Sequence, residues 1–208
     1  MATIPRALFT VVLALLILSR PAPVLSAQGG LPMIPDLRSS SRVGIGYVVS
    51  APRELVGFSA LGLTPKLFGG AGLYADVKFT HKSPADNPYF VDGLSPQEVE
   101  ATFGDPSFEG ESVWFSANLA LVYAVTRDLG LYLGGGYSKE QHYREYYDDT
   151  QSRGFEGFYW VLDEAASGNR INALGGMLMR AARHLVIQVG MESRPLGGTV
   201  GLMLTLPF

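Results

Sequence analysis

Alternation of apolar and polar residues is the dominant pattern of this chain. The clearest case is its last segment, where every second position is apolar: Val200, Leu202, Leu204, Leu206 and Phe208. The same period of two extends over residues 113–126 and 69–80. Because successive side chains of a strand point to opposite faces, each of these segments predicts a strand with one apolar face.

The alternation predicts an all-β chain of eight strands. We place them at residues 42–50, 54–63, 67–82, 111–126, 129–142, 170–182, 185–193 and 197–208. Tight turns at 64–66, 127–128 and 183–184 alternate with connections at 51–53, 83–110, 143–169 and 194–196, of which the second and third are long. Long loops at one end and tight turns at the other are typical of an outer-membrane β-barrel.

One long loop, 83–110, carries a helix signal. Ser95 is followed by Pro96 and by Glu98, which is the capping-box spacing with proline at the first helical position. Leu94 and Val99 flank the box as a hydrophobic staple. The pattern predicts a short helix over 96–103.

The N-terminus predicts a secretory signal peptide over residues 1–27. Arg6 precedes an apolar run at 7–18, and small residues allow cleavage after Ser26 or Ala27. The alternative is a membrane anchor, which needs about 20 apolar residues, and Arg20 interrupts the run too early. Residues 28–41 have no periodicity and are interpreted as a flexible periplasmic lead-in, so residues 42–208 form the barrel domain.

Composition narrows the possible chemistry. The chain has 25 Gly, no Cys and a formal net charge of -3. Without cysteine there is no disulfide, thiolate metal site or catalytic thiol, and the negative charge argues against nucleic acid as a partner.

The signal peptide, the Gly-aromatic segments at 43–47 and 133–137 and the alternating tail together resemble small Gram-negative outer-membrane β-barrels. The eight-stranded OmpA/OmpX-like group is the nearest match. The resemblance implies an antiparallel up-and-down transmembrane barrel in the bacterial outer membrane, reached after secretion across the inner membrane. It also implies the barrel-assembly machinery as a partner in biogenesis, with Phe208 as the assembly signal. Pro207 departs from the pattern because proline removes a ladder donor.

The two phases of the strands predict two surfaces. The outward phase should face outer-membrane lipid with an aromatic girdle at each rim. The predicted girdle residues are Phe79, Phe115 and Tyr137 at the external ends and Tyr123 and Phe208 at the periplasmic ends. The inward phase should form a polar lumen network of Tyr74, Asp76, Lys78, Asn118, Gln188 and Glu192. Lys78 is the expected cationic partner of Asp76, Glu192 or both.

The phase of the sixth strand stays ambiguous, because Leu174 and Leu178 share it with Asn172 and Arg180. Side chains fill the interior of an eight-stranded barrel, so a narrow porin, one alternative function, would need more strands than the eight predicted. A soluble ligand-binding barrel, another alternative, would bury its apolar phase inside.

Enzyme chemistry has one weak candidate. Ser138, Glu140 and His142 share a strand face and resemble, in residue type, outer-membrane lipid A deacylases. Alternate residues lie about 6.5–7 Å apart, too far for a nucleophile–base hydrogen bond. We therefore predict no catalytic, cofactor or metal site and keep the hydrolase as an alternative.

Two further residue groups were considered as metal ligands. His81, His142 and His184 lack metal-ligand spacing, and Asp148-Asp149 lacks EF-hand spacing for calcium. The Tyr-rich, charged segment 143–169 instead suggests a surface for an extracellular partner, in keeping with a structural or surface-interaction role.

Overall fold

The fold is described by a computed structural model, which covers residue 37 and residues 40–51, 54–64, 70–86, 89–154 and 156–207. The predicted signal peptide and Phe208 lie outside the described residues. No helix in the described part of the chain is long and apolar enough to cross a membrane.

Eight strands and two short helices are present in the described part of the chain. The strands are β1 (Arg42–Ala51), β2 (Leu55–Leu63), β3 (Ala71–Thr80), β4 (Ser107–Ala124), β5 (Leu129–Tyr147), β6 (Phe158–Ala182), β7 (Leu185–Ser193) and β8 (Leu196–Pro207). A 3-10 turn covers Pro84–Asp86 and the α-helix α1 covers Pro96–Thr102.

The strands close into an antiparallel up-and-down barrel in which each strand pairs with its neighbours in sequence and β1 pairs with β8. The eight-stranded fold predicted from the alternation is therefore confirmed. The connections divide into two ends. We call the end with β2–β3, β4–β5 and β6–β7 connections the turn end, and the opposite one the loop end.

The outer wall of the barrel is apolar. Large aliphatic side chains stand exposed along it, including Leu133 at 74% and Ile171 at 88% of their full accessible surface. Soluble monomers rarely expose contiguous apolar surface of this extent. From Phe115 to Tyr123 the apolar phase of β4 spans about 21 Å of depth at ordinary strand rise and tilt, close to the apolar band of a transmembrane barrel.

The lumen has an apolar zone and a polar zone. Toward the turn end it holds a cluster of buried apolar side chains: Leu37, Leu61, Leu63, Tyr74, Ala120, Val122, Ala124, Tyr132, Leu174, Leu178, Val186 and Met203. This zone settles the phase of β6, because Leu174 and Leu178 face inward together with the buried Asn172. The lumen of this barrel is filled by side chains at that end.

Leu37 differs from the expectation of a flexible lead-in over 28–41. Its side chain is buried in the apolar zone, and its amide donates to the Arg127 carbonyl over 2.9 Å. Arg127 lies in the β4–β5 turn, across the barrel from β1. The fully buried Arg42 guanidinium donates to the Arg183 carbonyl (2.9 Å) in a second turn. The chain therefore crosses the mouth of the barrel before entering β1.

The prediction of a long loop over residues 143–169 is wrong for most of that range. β5 continues to Tyr147 and β6 begins at Phe158, so only residues 148–157 connect them. β4 likewise begins at Ser107, before the predicted 111. The predicted helix is confirmed as α1, with its Ser95–Glu98 capping box formed.

Candidate functional site

Lys78 is the centre of the polar zone of the lumen. Its ammonium lies 2.7 Å from Asp76 Oδ1 and 3.1 Å from Glu192 Oε2, and all three side chains are fully buried. Tyr74 donates to Asp76 Oδ2 (2.9 Å) and Asn118 donates to Asp76 Oδ1 (2.8 Å). Five of the six residues predicted for the lumen network therefore meet around one ammonium group.

Two further polar residues, Asn172 and Ser50, belong to the network beyond those predicted. Asn172 donates both to Asn118 Oδ1 (2.9 Å) and to Glu192 Oε2 (3.2 Å). Because Asn118 donates in turn to Asp76, the two asparagines connect the carboxylates of Asp76 and Glu192. Ser50 donates to Glu192 Oε1 (2.6 Å). The ambiguous phase of β6 concealed Asn172, and Ser50 lies at the end of β1, where the alternation carries little information.

The sixth predicted residue, Gln188, lies in a neighbouring group. Its amide donates to the Tyr132 hydroxyl (2.7 Å) and to Thr199 Oγ1 (3.1 Å). The Tyr132 ring needs the glycines beside it, since a Cβ built on Gly190 would lie 2.0 Å from its hydroxyl oxygen. Tyr132 also stacks on Tyr74 at 4.9 Å between ring centroids, which links the group to the Lys78 network.

The four described residues predicted for the aromatic girdles all stand on the outer wall. Phe79, Phe115, Tyr123 and Tyr137 each expose between 40% and 52% of their surface. Phe79 and Phe115 are direct cross-strand partners. Tyr47 and Phe58 form a further exposed pair on β1 and β2, with ring centroids 6.4 Å apart, which the sequence analysis did not include.

The three residues weighed for hydrolase chemistry do not converge. Ser138 Oγ donates to the Arg194 carbonyl (3.0 Å), and Glu140 lies 3.9 Å from Arg170 Nε. His142 Nδ1 contacts Ser112 Oγ (3.0 Å) on β4 instead. His142 therefore contacts Ser112, and it is not brought together with Ser138, the predicted nucleophile, or Glu140, the predicted acid.

A three-stranded sheet projects from the loop end of the barrel. We call it the projecting sheet, formed by residues 107–113 of β4, 141–147 of β5 and 158–163 of β6. A β-bulge marks its base, where four residues of β6, 164–167, stand opposite the single residue Gln141 of β5. Ser167 holds the bulge by donating to the Asp163 carbonyl (2.6 Å) and accepting from the His142 amide (2.9 Å).

One face of the projecting sheet is covered by the 83–106 connection. Val99 of α1 packs with Tyr146, Tyr159 and Val161 in a buried cluster, against which Val91 and Leu94 lie. Burial raises the pKa of the Tyr159 phenol, as does its 2.7 Å hydrogen bond to Asp105. The connection is therefore a fixed layer on the sheet.

Ion pairs fasten the same layer. The Arg144 guanidinium lies 2.7 Å from Asp163 and 3.6 Å from Glu100 of α1. Arg153 lies 3.6 Å above the centre of the Phe103 ring and 3.7 Å from Asp105. Both arginines of the segment 143–169 are thus engaged within the protein.

Asp148 organises the tip of the projecting sheet. One carboxylate oxygen accepts from the amide and hydroxyl of Thr150, and the other from those of Ser152 and from the Arg153 amide. The hydrogen bonds from Ser152 and then Thr150 lower the pKa of Asp148 well below its usual range. Among the described residues, no group of three or more His, Asp or Glu is arranged to hold a metal ion.

The substitution Asp148→Asn should loosen this tip, because the amide nitrogen cannot accept the donors that now converge on the carboxylate. We expect trypsin to cut after Arg153 roughly fivefold faster in the folded, detergent-solubilised protein.

The control for this variant is Asp149→Asn, which removes the same charge at the exposed neighbouring position. Cleavage after Arg153 should stay at the wild-type rate in the control. Equal cleavage of both variants would mean that charge, and not the hydrogen-bonded turn, orders the tip.

The closed barrel, its apolar outer wall and its filled lumen define the chain as an eight-stranded transmembrane β-barrel protein. No protein-family model matches the chain, and no curated protein matches its sequence.

Solved structures of the same architecture are similar to it. The crystal structure of Ail, the attachment invasion locus protein of Yersinia pestis, is 14% identical and matches over 81% of this chain and 96% of that chain, at a TM-score of 0.45. The backbone structure of Ail in a phospholipid bilayer nanodisc is 16% identical, over 81% and 99%, at 0.42. The N-terminal β-barrel domain of Pseudomonas aeruginosa OprF is 10% identical, over 81% and 97%, at 0.39.

Proposed function

We propose that this chain is an outer-membrane protein of a Gram-negative bacterium whose barrel anchors the projecting sheet outside the cell, where the sheet binds a partner. The observation that carries the proposal is the contrast between the two ends of one apolar barrel. At the turn end the β4–β5 and β6–β7 connections are short, at residues 125–128 and 183–184, and the lumen is filled with apolar side chains. The loop end carries a three-stranded projection with a packed layer on one face.

The role is non-enzymatic in this proposal. The charged groups of the lumen, Lys78, Asp76 and Glu192, are paired with one another, which favours a structural function for them. The assignment of residues 1–27 as a signal peptide, 28–41 as a periplasmic segment and 42–208 as the barrel domain belongs to the same proposal. So does the recognition of the final strand, with Phe208, by the barrel-assembly machinery.

Labelling of single cysteines in intact cells tests the orientation, and the absence of native cysteine makes such variants clean. Asp149→Cys, at the exposed tip of the projecting sheet, should react with a membrane-impermeant maleimide in intact cells. Arg127→Cys, in the exposed β4–β5 turn, should react only after the outer membrane is permeabilised.

The reverse pattern would place the projecting sheet in the periplasm and overturn the proposed function. Reaction of both cysteines in intact cells would indicate that the protein is not inserted in the membrane as a barrel.

A further inference from the structure

The second face of the projecting sheet, opposite the one covered by α1, carries exposed aromatic side chains. β4 and β5 pair without a break from Gly110↔Arg144 to the turn end. Residues of one strand that differ by an even number lie on the same face. Tyr143, Glu145 and Tyr147 therefore continue the face of Tyr137, which is the outer wall of the barrel.

The neighbouring strands supply further aromatic groups to this face. Tyr147 pairs with Phe158 and Glu145 pairs with Trp160 across β5 and β6. Phe108 of β4 lies 5.9 Å from Phe158 between ring centroids, and Tyr147 lies 4.9 Å from it. We call the surface formed by Phe108, Glu145, Tyr147, Phe158 and Trp160 the open face. Tyr143 lies on the same side of the sheet but is buried, in contact with the Phe90 ring.

The open face differs from the covered face in accessibility. Phe108 exposes 51% and Phe158 40% of their surface, whereas the aromatic residues of the covered face, Tyr146 and Tyr159, are fully buried. Aromatic side chains, phenylalanine included, are enriched in protein–protein interfaces relative to the rest of the protein surface. The open face lies beyond the girdle residue Tyr137, up to ten residues further along β5, and so stands clear of the apolar band.

A hollow of about 240 Å³ adjoins the open face at the edge of β6. Phe90 and Leu162 supply apolar walls, and Asp92, Glu98 and Glu164 supply carboxylates. The Phe90 ring meets Tyr143 edge to face at 5.8 Å, which joins the hollow to the open face. An apolar slot with carboxylates at its rim matches the stem and the charged head of a lysine or arginine side chain.

The charge of the surrounding chain is one-sided. Residues 83–111 and 143–169 together contain thirteen Asp and Glu residues and two arginines. Both arginines are held in internal ion pairs, Arg144 with Asp163 and Arg153 with Asp105. Such a field accelerates the approach of a cationic partner and repels a polyanionic one. A second copy of this chain would bring like charges together.

We propose that the open face and the adjoining hollow bind a basic protein segment, in which arginine or lysine side chains alternate with apolar ones. The arginine side chains stack on the exposed aromatic rings, and the apolar ones cover Phe108 and Phe158. This inference rests on the proposed function, because it takes the projecting sheet to be outside the cell.

The test uses the full chain in nanodiscs of zwitterionic lipid, with empty nanodiscs as the reference. The probe is a synthetic peptide that alternates arginine with leucine and glycine, and the matched peptide carries glutamate in place of arginine. Calorimetry should detect binding of the arginine peptide and none of the glutamate peptide. Raising the salt from about 0.05 M to about 0.3 M should weaken binding by about tenfold, because the attraction is screened.

Two phenylalanine variants locate the binding surface. Phe158→Ser should weaken binding of the arginine peptide by about tenfold, the usual effect of truncating a central aromatic residue. Phe103→Ser is the matched control, because Phe103 is exposed to 38% in the same acidic projection but lies at the end of α1. It should change the affinity by less than about twofold. Retention of the compact gel band in unheated samples reports that each variant is folded.

Several results would overturn the inference. These are failure of the arginine peptide to bind, equal binding of the glutamate peptide, equal effects of the two phenylalanine variants, and self-association that Phe158→Ser abolishes. If the tip cysteine is labelled from outside while the probe fails, only this inference is lost. If the tip is not labelled from outside, the proposed function fails whatever the probe does.

Discussion

Replacing Lys78 by methionine should destabilise the barrel by about 3–5 kcal/mol, the range found when one partner of a buried ion pair is removed. Lys78 stands between Asp76 and Glu192 with no exposed surface. Methionine fills a similar volume but leaves two carboxylates facing each other in a confined interior. Urea unfolding in liposomes, followed by tryptophan fluorescence, measures the change in the free energy of unfolding.

Two further variants separate charge from packing. Lys139→Met changes an exposed lysine of β5 and should alter stability by less than about 0.5 kcal/mol. The triple variant Lys78→Met, Asp76→Asn, Glu192→Gln removes the charges together and should recover most of the loss, because a neutral interior replaces an unbalanced one. An effect of Lys78→Met no larger than that of Lys139→Met would show that Lys78 is solvated and that the lumen is not a packed interior.

The period of two determined most of the barrel in advance. It located all eight strands because one phase of each stands on the outer wall and is mostly apolar, as in Leu119, Leu121 and Leu133. The lumen phase was predictable only where its residues are polar. At the turn end the inward side chains are also apolar, so the alternation vanishes there and Asn172 was left without an assigned face.

The projecting sheet was missed for a different physical reason. Beyond the apolar band neither face of a strand needs to be uniformly apolar. The covered face contains tyrosines, Tyr146 and Tyr159, whose hydroxyls donate hydrogen bonds to Glu100 and Asp105. The bulge at 164–167, which places four residues of β6 opposite one of β5 and so adds three, then shifts the phase of β6 relative to its continuation in the barrel. A strand with mixed faces and a bulge gives no period of two. The helix α1 was predicted all the same, because its capping signal depends on only four adjacent residues, 95–98.

The barrel and the projecting sheet therefore differ in which of their two faces is buried against apolar side chains. Within the barrel the apolar face is outside and the polar groups inside, while in the projecting sheet the buried cluster around Val99 lies on the continuation of the inner wall. The outer wall keeps exposed aromatic residues throughout, from Phe115 within the apolar band to Phe158 beyond it. Retention of aromatic residues beyond the apolar band, with no lipid to require them, is what points to a partner on the open face.

The substitution Leu133→Arg tests whether lipid covers the outer wall. Leu133 lies midway between the girdle residue Tyr137 and the turn end of β5, on the exposed apolar face beside Leu121. Arginine at the midplane of a transmembrane barrel costs about 2–4 kcal/mol and near the interface about 0–1 kcal/mol. In liposomes Leu133→Arg should therefore lower the free energy of unfolding by about 2–4 kcal/mol.

Leu206→Arg, on the same face near the turn end of β8, should lower it by about 1 kcal/mol or less. In a soluble barrel both positions would face water, and neither arginine would cost more than about 0.5 kcal/mol. Equal and negligible losses at the two depths would mean that the outer wall does not face a bilayer.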